Sequence, residues 1–203
     1  MKVKITFTEP LLGTISGNRE ITEEFIASKN PNGVDPAEIE AVPLDETIEK
    51  SSTIFARNPD GKPMLWDYQI KGFFKEVCLA MIEHDLLTQK ELKDVRLTSY
   101  LYKRTIDKQI FIFPRQILIQ GLDSEPLKFT ERPLRGQTQR GERICLARSE
   151  TIPAGASIVV EIRILNKKLE PFIPQWLTYG ILSGLGQWRN SGCGRFSWEL
   201  ITE

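Results

Sequence analysis

The chain has 203 residues, 40% hydrophobic and 9% aromatic, with 27 basic and 27 acidic side chains that cancel to zero net charge. That length suits one domain with a proper core, the charge balance excludes wholesale nonspecific nucleic-acid binding, and no stretch approaches the roughly 18 apolar residues of a membrane span. One histidine and three scattered cysteines leave too few parts for a His-based triad, a multi-His metal centre, a zinc site or a disulfide framework, so reduced thiols in a cytoplasmic protein without cofactor or metal are expected.

In chain order, Val3, Ile5 and Phe7 alternate with Lys2, Lys4 and Thr6, which predicts a first strand rather than a signal peptide. Residues 14–50 form an acidic excursion; its stretch 20–50 carries nine acids against two bases, a net of −7. A short helix is expected near 20–28. Ser51 to Arg57 reads as a strand, and Asn58-Pro-Asp-Gly61 as a turn. Ile70, Phe73, Phe74, Val77, Ala80 and Met81 repeat at three and four, predicting a core helix from Tyr68 to His84 with Asp67 as its N-cap. Thr88 and Glu91 suggest a capping box for a second helix over 88–94. Two strands are expected next, 95–103 and 109–120, joined by a turn at 105–108, with Pro114 marking an edge or bulge.

Residues 121–150 are turn-rich. Within them, 128–148 holds six bases against two acids, a net of +4, and such a local segment governs binding more than the whole-chain sum. Ile158, Val160, Ile162 and Ile164 alternate as a strand. Trp176, Leu177, Ile181 and Leu185 mark a second core helix, and 195–201 a last strand. This order predicts one α+β domain, with helices on one face of an antiparallel sheet. Between the last helix and strand lies Gly184-Leu-Gly186, then five residues including Arg189, then Gly192-Cys-Gly194 and Arg195. Glycines at such spacing either permit tight packing or present backbone amides to an anion, and the arginines add charge that matches phosphate.

The doubled glycine motif resembles the glycine-rich loop of the RAMP superfamily of CRISPR-associated RNA-binding proteins, which implies an RRM-like, ferredoxin-like fold. Asp60-Gly-Lys-Pro63 with Tyr68-Gln-Ile-Lys-Gly-Phe-Phe-Lys75 is similar to a segment of the backbone-subunit branch of type III effector complexes, although Trp66-Asp67-Tyr68 departs from its usual Pro-Gly-Ser. Arg132 to Arg148 with Glu150-Thr-Ile-Pro-Ala-Gly-Ala156 is similar to that branch's basic hairpin, the thumb. The match covers most of the chain from residue 52 onward and leaves the acidic insertion unmatched.

The resemblance implies a path for single-stranded, crRNA-like RNA. Its expected contacts are Lys71, Arg132, Arg135, Arg140 and Arg143, then Gly184, Gly186, Arg189, Gly192, Gly194 and Arg195. It implies a standalone component beside CRISPR effector subunits, self-association along RNA, or a phage-encoded mimic that interferes with an effector. An endoribonuclease and a protein–protein module without RNA remain the alternatives. His84, between Glu83 and Asp85, reads as a solvated helix end rather than a catalyst, and no catalytic residue is expected. Asp35 and Asp45 lie where backbone subunits carry a cleavage-associated acid, but neither aligns by motif. Tyr100, Tyr102, Phe111 and Phe113 divide between core and the opposite sheet face on this reading, with base stacking as the rival role.

Overall fold

The computed structural model describes residues 1–18, 21–22, 24, 36–41, 52–84, 86, 88–122, 126–138 and 141–201, with side chains except at 39, 89, 91, 134, 136–138, 142–143 and 145. Asp35, Asp45 and Arg140 lie outside these residues, as does most of the helix expected at 20–28.

In chain order the strands are β1 Lys2–Phe7, β2 Leu11–Leu12, β3 Ile15–Ser16, β4 Ser52–Ile54, β5 Ala56–Arg57, β6 Pro63–Trp66, β7 Ile110–Phe113, β8 Gln116–Leu118, β9 Lys128–Thr138, β10 Gly141–Ile152, β11 Ser157–Ile164 and β12 Phe196–Leu200. The helices are α1 Pro36–Glu40, α2 Asp67–Glu83, α3 Gln89–Asp94, α4 Tyr102–Gln109 and α5 Phe172–Ser183.

The main sheet runs β12-β1-β11-β7, with every neighbouring pair antiparallel. Helix α2 connects β1 to β7 through the insertion, and α5 connects β11 to β12. That arrangement is a ferredoxin-like double split β-α-β. Alternation along β1 buries Val3, Ile5 and Phe7 against α2 and α5, whose stripes include Phe73, Phe74, Val77, Ile173, Trp176 and Leu177. Phe74 and Trp176 meet across the two helices with ring centroids 5.5 Å apart. Two smaller sheets flank the main one. One runs β2-β10-β4-β3 with β9 on β10, and the other is β5-β6-β8.

Several expectations are corrected. Residues 102–109 form helix α4, not the end of a strand and a turn. Tyr102 and Ile106, four apart, bury together, and a Lys75–Asp107 ion pair at 2.6 Å ties α4 to α2. Asp67 is the first residue of α2 rather than its cap; Gln69 Oε1 reaches back to accept from the Trp66 N–H at 2.8 Å. The strand expected at 109–120 divides at Pro114, which offers no N–H to a ladder, and β7 and β8 enter different sheets. Tyr102 is buried and Tyr100 stands in solvent. Phe111 and Phe113 point to the sheet's open face, where the Arg163 guanidinium lies 4.5 Å from the Phe113 ring.

Candidate nucleic-acid interface

The glycine loop, the end of β1 and the foot of the long hairpin meet at one end of the main sheet. The N–H groups of Thr8 and Glu9 donate to the Arg195 carbonyl at 2.9 and 3.3 Å, Gly155 donates to Phe7 O at 2.8 Å, and Gly13 donates to Glu150 O at 2.8 Å. The six residues of β1 separate this end from the other by about 20 Å.

Gly184 ends α5 with φ +75°, and a Cβ there would lie 2.7 Å from Cys193 O. At Gly194, φ +73°, a Cβ would lie 1.8 Å from Leu185 O. The two ends of the loop therefore close on each other backbone to backbone. Their amides are engaged: Gly184 N–H with Gly180 O at 2.8 Å, Leu185 N–H with Gly194 O at 2.9 Å, Gly192 N–H with Arg189 O at 2.8 Å, and Gly194 N–H with Pro10 O at 2.8 Å. These glycines serve packing, and an anion would meet the loop through side chains more than through those four amides. Gly186 packs over Leu11 and lines a groove of about 230 Å³ with Gln69, Gly72 and Glu76 of α2.

The arginines occupy unlike settings. Arg189 is ion-paired with Glu76, which ties the loop to α2. Arg195 is exposed, and its Nε donates to Leu182 O at 3.2 Å. Lys71 Nζ lies 5.0 Å from the centroid of the Phe111 ring. In the hairpin, β9 and β10 pair without interruption from Lys128↔Thr151 to Thr138↔Gly141. That register puts positions 132 and 143 on one face of the ribbon and position 135 on the other, so the hairpin arginines do not form a single row.

Arg132 is the exception among them. Its side chain faces small Ala147 across the ribbon and turns into the glycine loop, where the residue is only 8% exposed. Nη2 donates to Gln187 Oε1 at 3.2 Å, and the guanidinium carbon lies 5.1 Å above the Trp188 ring. Nε and Nη1 are buried and have no hydrogen-bond partner among the described residues. Burial pushes the neighbouring Cys193 thiol pKa up, against the pull of the Arg132 charge. A buried guanidinium with two open donors is costly unless an anion completes it.

The foot of the hairpin is clamped. Buried Glu150 accepts from the Phe55 N–H at 2.9 Å through Oε2 and pairs with Arg57 through Oε1. Nearby, the Thr53 and Ser149 hydroxyls lie 2.8 Å apart. Arg132 was legible as a base, but its burial, its contact with Trp188 and the Glu150 clamp were not. An aromatic residue inside the glycine spacer was the available signal for Trp188.

His84 caps the far end of α2, eight residues beyond Glu76 and about 12 Å along the axis from the loop groove. Among the described residues, no three or more His, Cys, Asp and Glu side chains gather as a metal site. No described helix is long and apolar enough to cross a membrane.

No family model matches the sequence, and no curated protein does. Two solved structures are similar in shape. One is a chain of the cryo-EM structure of the type III-B Cmr-beta bound to cognate target RNA, the other a chain of a type IV-B CRISPR complex. Each has a TM-score of 0.54 and 13% identity over 99% of this chain. The likeness is one of fold, which in this chain is α+β and ferredoxin-like. This chain spans 58% of the first neighbour's length and 90% of the second's.

Proposed function

We propose that this protein binds single-stranded RNA between the foot of its hairpin and its glycine loop, as a backbone-subunit-like component or mimic of a CRISPR effector complex. Arg132 carries the reading. Its charge and its unpartnered donors Nε and Nη1, on different edges of the guanidinium, sit where hairpin and loop meet, and phosphate oxygens are the anionic acceptors that such a group lacks here. That a chain of similar fold belongs to a complex bound to its cognate target RNA supports it. Arg143 and Arg195, with Arg140 and Lys71, would extend the contact along the backbone, Arg135 would meet RNA only from the ribbon's other face, and Arg189 would bind in competition with Glu76. Contacts of this kind position a strand without reading its sequence.

The partner surface has its own support. Ile144 and Leu146 are 63% and 66% exposed on the hairpin face away from Arg132. An apolar stripe on a projecting ribbon suits packing against a neighbouring subunit along the RNA, an effector component or a second copy.

The test is Arg132→Met, which keeps the buried stem and removes the charge. RNA affinity of the purified chain, followed by fluorescence anisotropy across a salt series, should fall, and the slope of log K against log salt should lessen by about 0.7. The same variant should melt no lower than the parent, because an uncompensated buried charge is gone. Unchanged affinity and slope in a folded variant would overturn the reading.

A further inference from the structure

Trp188 stands in the middle of the glycine loop at φ 55°, ψ 37°, in the left-handed region that bulky residues rarely occupy. Such a conformation persists only where the surroundings impose it, and it clusters at ligand clamps. Here Trp188 stands as the N-cap of the short helical turn Arg189–Ser191, two residues after Gly186 at φ +84°. Trp66 and Trp176 are buried and Trp198 packs against the core, so Trp188 is the exposed member of the four, at 40%. The Arg132 guanidinium carbon lies 5.1 Å from its ring centroid, and the residue as a whole keeps that 40% exposure.

We propose that Trp188 is a stacking platform for an unpaired nucleobase, with a phosphate of the adjoining nucleotide drawn by the Arg132 charge that lies against the same ring. The inference rests on the RNA-binding reading above and adds the base contact to it. The two halves of the site ask for different chemistry: the indole for a flat, weakly polar ring, the guanidinium for an anion. A nucleotide carries both at short separation. The cation on one side of the indole and the base on the other make a layered stack. Since every base has a π-face, the platform is tolerant of sequence.

The probes are a short oligouridylate and an oligomer of the same length whose residues lack bases but keep the sugar-phosphate backbone. The parent should bind the base-bearing strand about tenfold more tightly than the abasic one. Trp188→Ala should bring that preference close to one while leaving the salt dependence in place. Trp188→Phe should restore most of the preference. Tryptophan emission should fall on addition of oligouridylate to the parent and to Trp198→Phe, and should hold steady for Trp188→Phe. If the parent binds both strands equally, RNA binding stands and the platform falls. If Trp188→Ala keeps the full preference, the platform also falls. If the parent binds neither strand, both readings fall together.

Discussion

At Gly194 an alanine methyl would lie 1.8 Å from the Leu185 carbonyl oxygen, on a backbone already at φ +73°. Neither atom belongs to a flexible side chain, so Gly194→Ala should cost at least about 3 kcal/mol, and the melting temperature should drop by roughly 6–12 °C. Calorimetry on the variant checks this, and a normal melt would show that the loop can open without penalty. The same contact means that lost RNA binding in a glycine variant reports unfolding as readily as it reports a lost anion cradle. Substitution of Arg132 or Trp188 separates the two. At this scale the sequence announced that the loop was special and named its arginines. It did not rank them, because the rank depends on burial. Arg132 is shielded by a loop lying some fifty residues later, and Arg189 is matched by Glu76 on a helix far earlier in the chain. Neither approach leaves a mark in local spacing.

Elements with their own period were readable, and elements defined by their neighbours were not. β1, α2, β11, α5 and β12 each carry an apolar repeat that fixes which face goes inward, so they stand close to where the pattern puts them. α4 has two buried side chains in eight residues and borrows its stability from α2, so its own residues carry too short a repeat to announce a helix. The hairpin is legible as a basic hairpin, yet its attachment is tertiary. Glu150 joins β10 to Phe55 and Arg57, so the ribbon is anchored by a buried carboxylate rather than by its turn. Glu150→Ala leaves the Phe55 N–H unsatisfied and Arg57 without its partner, at a cost of about 3 kcal/mol. The urea midpoint should fall accordingly. Amide exchange at 52–57 and 148–152 should speed up more than at the centre of α2; uniform acceleration would mean that the clamp is no separate unit.

Across the whole molecule, charge and titration act on stability as well as on binding. Burial raises the Cys78 thiol from an ordinary value of 9.0 up to about 12. Burial, with the Glu38 and Asp67 charges, also raises the Tyr68 hydroxyl. For acids whose folded-state pKa lies above the unfolded one, the ionised form favours the unfolded chain. Stability is thus complete below about pH 9 and declines from there toward pH 12. Cys78 contributes a loss of about 2 kcal/mol by pH 10.5. Denaturant titrations at pH 8 and 10.5 should show this decline, and Cys78→Ala should flatten it; a level profile in the parent would contradict the burial argument. The order β12-β1-β11-β7 places the first strand between two of the last. A ribosome adding about 5–20 residues per second needs about 8–30 s between releasing β1 and delivering β11, its first sheet partner. For that interval Val3, Ile5 and Phe7 have no sheet to join, and the nascent chain needs a chaperone, or its own α2, to cover them.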